Sequence, residues 1–239
     1  MKIWNKTIDF YSRAKSNKWL NYFANFCRIS LALGFIPSGF VKIKGERFAS
    51  GLSINHPLGH YLEALYQTDF YYTFIGFAQI LIAILLLIPR TVVLGAILYF
   101  PIILNICVLA YATRFEGTRI TTFMLLANLF LLCWHYEHLK FLFLSKKSST
   151  KQLGNDTPIS DKFPFIFFTI VVSILIGVII INQHLFDIRP GNAMIECMNG
   201  CPGNKSPNAC EIFCNCIHEH GYTLKECLKS YTETIAISK

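Results

Sequence analysis

Six of the nine cysteines follow Met194: Cys197, Cys201, Cys210, Cys214, Cys216 and Cys227. Thiols concentrated in a short polar stretch can cross-link, hold a soft metal or exchange electrons. Cys197 and Cys201 stand at i, i+4, as do Cys210 and Cys214, with a loop carrying Pro202, Gly203 and Pro207 between the pairs. Each pair therefore lines one face of a helix, and in an antiparallel helical hairpin the facing positions share a constant index sum. Cys197 with Cys214 and Cys201 with Cys210 meet that condition. Cys216 is left for Cys227, out of the many pairings that six cysteines allow. Ser206-Pro207 and the capping box Thr223-x-x-Glu226 mark helix starts, and Gly221 marks an end. Cys214-Asn-Cys216-Ile-His218-Glu-His220 also gathers thiols and imidazoles, but alternate residues scatter around a helix and the spacing is not that of a zinc site. A redox-active Cys214-x-Cys216 pair is the third option, although the tail has no Cys-x-x-Cys. Structural disulfides, with no metal, are the expected state.

A second set is formed by polar side chains set into apolar runs: Arg28, Gln79, Asn105 and Asn128. In hydrocarbon each must find a partner or line a cavity, and one per run predicts a shared interior. The plainer reading of Arg28 is a guanidinium bonded to helix carbonyls or to Asn128. The functional reading is a donor to an anion or to a quinone carbonyl. Gly34, Gly39, Gly76 and Gly95 let runs approach closely, and Pro101 frees a carbonyl beside Asn105. Lys42, Arg114, Glu116 and Arg119 form a polar group at the opposite ends of the runs from the N-terminus. His135, Glu137 and His138, like His56 and His60, read as solvated boundary residues rather than ligands.

The elements that must position these groups are membrane spans. Of 239 residues 53% are apolar and 15% charged, and the mean hydropathy is +0.43, values wrong for an ordinary soluble protein. The net charge of +8 is scattered over short loops, which excludes a basic patch for nucleic acid. Phe74 to Asn105 reads as two apolar helices joined by a turn at Pro89-Arg90. Around it the spacing predicts spans over Trp19 to Val41, Phe70 to Ile88, Thr91 to Thr113, Ile120 to Leu144 and Phe163 to Phe186. His56-Pro57 starts a short amphipathic helix with Leu58, Tyr61, Leu62, Leu65 and Tyr66 on one face, lying on the membrane surface.

The fold class is thus an all-α membrane protein: a segment over 1–18, a four-span bundle over 19–144, a polar linker over 145–162, a fifth span over 163–186 and a small disulfide-stapled helical-hairpin domain over 187–239. Counting Lys and Arg beside the spans puts eleven, from Lys2 to Lys162, on the N-terminal side and five (Lys42, Lys44, Arg47, Arg114, Arg119) on the other. By the positive-inside rule the N-terminus and linker are cytoplasmic and the cysteine tail is outside, where disulfides persist.

Arg28 to Lys42 with Ser38-Gly39-x-x-Lys42, then Gly76-Phe-Ala-Gln79, Pro89-Arg90-x-x-x-x-Gly95 and Phe100-Pro-Ile-Ile-Leu-Asn105, resemble the DoxX family of four-helix membrane proteins. The resemblance implies a four-span bundle in a bacterial inner membrane, so that the outside tail would be periplasmic, and a place in quinone- or thiol-linked redox systems. It transfers no catalytic residue. The fifth span and cysteine tail are additions to the family pattern. The leading expectation is a membrane subunit of a redox system whose tail docks a protein partner, with quinone as the candidate cofactor. A non-enzymatic scaffold or assembly protein, and a lipid or small-solute carrier using the Arg28 cavity, are the alternatives.

Overall fold

The computed structural model describes residues 11, 13–137, 139 and 160–237. Most of segment 1–18, most of linker 145–162, the far end of the fourth predicted span, His138 and Lys140 lie outside the described residues. Within them the chain is helical and forms no strand. An isolated bridge pairs Asn17 with Ser160.

Helix α1 (Lys18–Ile43) starts where the Asn17 side chain accepts from the Trp19 and Leu20 amides, and it runs through Pro37. Helix α2 (Pro57–Tyr66) begins with His56 as its cap, the ring accepting from the Leu58 amide. Helices α3 (Phe70–Leu87) and α4 (Val92–Ala112) are joined at Pro89-Arg90, where Thr91 Oγ1 donates to the Leu85 carbonyl at 2.9 Å. Helix α5 (Thr118–Trp134) and helix α6 (Phe165–His184) follow. Among the described residues four helices, α1, α3, α4 and α6, are long and apolar enough to cross a membrane.

Within the expected span Ile120 to Leu144, α5 has 17 residues and a turn at His135 interrupts it, with helix again at Tyr136 and Glu137; the span's far end lies outside the described residues. The length of α5 sits at the lower limit for crossing the hydrocarbon core. Even so, α5 reaches both ends of the bundle. At one end Tyr11 Oη donates to the Trp134 carbonyl at 2.7 Å, beside the pairing of Asn17 with Ser160. At the other, α5 follows the loop that meets the tail.

Helices α1, α3, α4 and α5 close a ring: α1 packs on α3 and α5, and α4 on the same two. Leu31, Phe35, Leu86, Tyr99, Ile103 and Leu131 fill its centre, with Phe35 and Tyr99 stacked at 3.8 Å between centroids. Helix α6 lies outside the ring. Its first turns are pinned by Phe163 on Trp19 and by Phe167 on Phe23 and Phe130, and within the helix only Asn182 is buried. A helix apolar all round with one buried residue is compatible with a lipid surround.

The tail forms α7 (Met194–Gly200), a 3₁₀ turn over Cys201–Gly203, α8 (Pro207–His218) and α9 (Leu224–Ile237). Disulfides join Cys197 to Cys214, Cys201 to Cys210 and Cys216 to Cys227, the pairs that share an index sum together with their remainder. They surround a core of Ile188, Phe213, Ile217 and Tyr231. A unit this small has little apolar area to bury, and each cross-link adds roughly 2–4 kcal/mol. Thr223 and Glu226 exchange hydrogen bonds as a capping box at the start of α9.

Candidate functional site

Two sets of polar residues and one interface emerge, arranged differently from the single shared interior expected from the sequence. The first cluster is built on the contact between α1 and α3. Lys42 sits in the last turn of α1, at the expected end of the span, and is buried there. Its ammonium donates to Ser38 Oγ at 2.8 Å and to the Ser38 carbonyl at 3.0 Å, and it lies 4.2 Å from the Phe48 ring centroid. Ser38 Oγ in turn donates to Gln79 Oε1 of α3 at 3.2 Å. Among the described residues Lys42 has no carboxylate partner. A buried ammonium without a counterion depends on its dipolar and aromatic neighbours. Ser38→Ala is therefore expected to lower stability by about 1–3 kcal/mol, read as a fall in the thermal midpoint of detergent-purified protein.

A second set of polar residues is spread over α1, α4 and α5. Asn128 is fully buried, and its Nδ2 donates to the Ala96 carbonyl at 3.2 Å. Three buried polar atoms here have no hydrogen-bond partner: Arg28 Nε, Tyr99 Oη and Asn128 Oδ1. Arg28 is thus not bonded through Nε to Asn128. Asn105 joins neither set. It is exposed on α4, as is Pro101 one turn earlier. This corrects the expected shared interior, and the reason is that α4 is apolar on every side, so its sequence marks no inward face. Gln79 and Asn128 are inward but belong to different sets.

The interface joins the tail to the loop end of the bundle. Ser53 N–H donates to the Asn192 carbonyl at 2.8 Å, Asn55 Nδ2 to the His218 carbonyl at 2.7 Å and Arg114 to the Ile188 carbonyl at 3.1 Å. Arg114 also covers the Phe186 ring at 4.8 Å. Burial first, and then the neighbouring Glu196 of α7, push the Glu116 carboxyl above its ordinary range, while Arg189 and Arg119 pull it back. Arg114, Glu116 and Arg119, expected as a polar group at the outer ends, therefore lie in the docking zone of the tail. Arg47 organises the same end: it pairs with Glu63 at 2.9 Å and donates to the Leu52 and Gly59 carbonyls.

His56 is buried at this junction, not solvated as expected, with the Phe115 ring at 6.1 Å. Burial, and secondarily His218, lower its pKa to about 4. Because its Nδ1 accepts from the Leu58 amide at 3.0 Å, the neutral ring carries its proton on Nε2. His218 is set the same way, since Nε2 meets the Pro190 carbonyl at 2.6 Å and Nδ1 is buried without a partner. No sequence signal marks either histidine as buried, because the groups that meet them, Phe115 for His56 and the Pro190 carbonyl for His218, lie in other segments.

The four ligands of the Cys-x-Cys-x-His-x-His stretch do not converge. Cys214 and Cys216 are each in a disulfide, His218 is bonded to Pro190, and His220 is exposed. The sulfurs of Cys201, Cys210 and Cys214 cluster only because two disulfides adjoin.

Fold and site together define an all-helical membrane protein with a disulfide-stapled cap on one end of its bundle. Over 83 residues the chain is 36% identical to the uncharacterized protein YwoB of Bacillus subtilis (strain 168), a match covering 35% of this chain and 54% of that protein. The chain thus spans about half the length of this curated relative. No family model and no solved structure matches it.

Proposed function

We propose that the chain is a DoxX-like subunit of a quinone- or thiol-linked redox system in a bacterial inner membrane, with its tail as a periplasmic docking domain for a protein partner. The observation that carries this reading is the set of orphaned polar atoms on the helices of the ring. A buried donor or acceptor without a partner costs about 1–3 kcal/mol, and Arg28, Tyr99 and Asn128 contribute one each from three different helices. Donors set in an apolar bundle suit a small ligand with carbonyl oxygens, and a quinone headgroup is of that chemistry. Arg28 Nε and Tyr99 Oη would donate to it. The bound group would supply two-electron redox chemistry.

Quinone content of protein purified from membranes tests this. The wild type is expected to carry quinone, or to gain thermal stability when a short-chain quinone is added. Tyr99→Phe is expected to lose that quinone while its own melting stays level or rises, because it removes an unpaired hydroxyl. Arg28→Gln should also lose it. A wild type that neither carries quinone nor responds to it overturns the quinone-linked form of the proposal.

The exposed carboxamide of Asn105 favours a second reading, a scaffold whose α4 face meets a partner span. An amide facing hydrocarbon gains a hydrogen bond only from another helix. Asn105→Leu would then release a partner in pull-down while leaving quinone content unchanged.

A further inference from the structure

Of the six tail cysteines, five are buried, and only Cys216 is partly open to solvent. The disulfides Cys197–Cys214 and Cys201–Cys210 are therefore closed to reagents, and the two bonds hold the α7–α8 hairpin. The third bond differs in both respects. Cys216 opens into a cleft of about 550 Å³, which is also lined by Ile212, Asn215, His220, Tyr222 and Glu226. Its partner Cys227 is fully buried on α9.

We propose that Cys216–Cys227 is a thiol–disulfide exchange site for a dithiol presented in this cleft. This deepens the thiol-linked form of the proposed function and rests on it. Exchange requires a thiolate to approach a sulfur in line with the bond that breaks. Only Cys216 offers that approach, which settles the direction of attack. The incoming thiolate bonds to Cys216 Sγ, the Cys216–Cys227 bond breaks, and Cys227 leaves with the electron pair. The proton of the incoming thiol passes to the cleft, where the His220 imidazole can take it, and Cys227 is reprotonated. The second thiol of the partner then attacks the partner's own sulfur in the mixed disulfide and frees Cys216. Two electrons and two protons have moved: the partner dithiol is oxidised to a disulfide and Cys216–Cys227 is reduced to two thiols.

The surroundings suit a bond that opens and recloses. Reduction would not unfold the tail, because the two buried disulfides remain. Helix α9 also keeps its contacts through Tyr231, whose Oη donates to Asn204 Oδ1 at 2.9 Å and whose ring meets Phe213. Leu228 and Ile235 of α9 pack on the same core. Cys227 would therefore stay close to Cys216 in the dithiol state.

The test uses the full chain in detergent, exposed to dithiothreitol for increasing times, quenched in acid, alkylated and mapped by mass spectrometry. Cys216 and Cys227 are expected to become alkylated at least about tenfold sooner than Cys197, Cys201, Cys210 and Cys214, with the helical circular dichroism signal unchanged. With reduced glutathione, the mixed disulfide should form on Cys216 and not on Cys227. His220→Gln should slow this exchange severalfold, leaving the thermal midpoint in place. Reduction of another pair first, or of all three together as the fold is lost, overturns the proposal. So does glutathione found on Cys227. Quinone measured in the same preparations separates the two claims: bound quinone beside an inert Cys216–Cys227 bond sinks the exchange site and leaves the redox subunit standing.

Discussion

Leucine in place of Gly76 is expected to unseat α1 from α3 and to lower stability by about 3 kcal/mol or more. A Cβ at Gly76 would stand 2.8 Å from the Gly39 carbonyl oxygen and 2.9 Å from Lys42 Cβ, and a Cβ at Gly39 would meet the Gly76 oxygen at 2.8 Å. Neither contact is with the far end of a flexible side chain, so one helix must move. Within a membrane, close backbone approach is a main source of helix association, because lipid removes the hydrophobic drive between apolar side chains. The same crossing carries Ser38, Lys42 and Gln79, and separating the helices breaks the hydrogen bond from Ser38 to Gln79. Thermal melting of the Gly76→Leu protein, with Gly177→Leu as control, checks this. An added Cβ at Gly177 on α6 meets nothing within 4 Å, so the control should melt as the wild type does. Equal melting of all three proteins would remove the Gly39–Gly76 contact from the account.

These two glycines were legible as packing residues because small side chains in apolar runs have few other uses. The spans were legible for a related reason: a run of apolar residues needs no tertiary partner to declare itself. The disulfide pairing was legible because two i, i+4 pairs across a turn leave an antiparallel hairpin little choice of register. The exposure of Asn105 and the burial of Lys42 are not legible in the sequence, for a different cause. A uniformly apolar helix such as α4 has no polar stripe to orient it, so only its contacts with α3 and α5 decide which residues turn inward. Lys42 is one turn from a polar loop and reads as a boundary residue, yet Phe48 from that loop folds back over its ammonium. Tyr99 gave no signal at all, since an aromatic in a span is ordinary core until its hydroxyl is found without a partner.

Acidification from neutral pH is expected to loosen the cap through His56, and the sign follows from where its proton goes. In the docked state the ring titrates at about 4, chiefly because it is buried and next because His218 faces it. Protonation there would also turn Nδ1 from acceptor to donor and cost the bond from the Leu58 amide. In an undocked state the ring returns to its ordinary value near 6.5. Above 6.5 both states are neutral, and docking has its full strength. Between 6.5 and 4 the undocked state binds a proton that the docked state refuses, so docking weakens steadily. Below 4 both are protonated and the loss stops, at a total on the order of 3 kcal/mol. Glu116 acts in the opposite sense: its raised pKa makes the docked state the better proton binder, so acid favours docking there. His56→Asn isolates the histidine, since asparagine can still cap α2 at the Leu58 amide but does not titrate. Docking is read from hydrogen-exchange protection of the Ser53 amide, which bonds to Asn192 of the tail. Between pH 7 and pH 5 the wild type should lose protection by about tenfold or more, after correction for intrinsic exchange. His56→Asn should hold its protection level or gain it through Glu116. Equal loss in the two proteins would assign the acid response to another group.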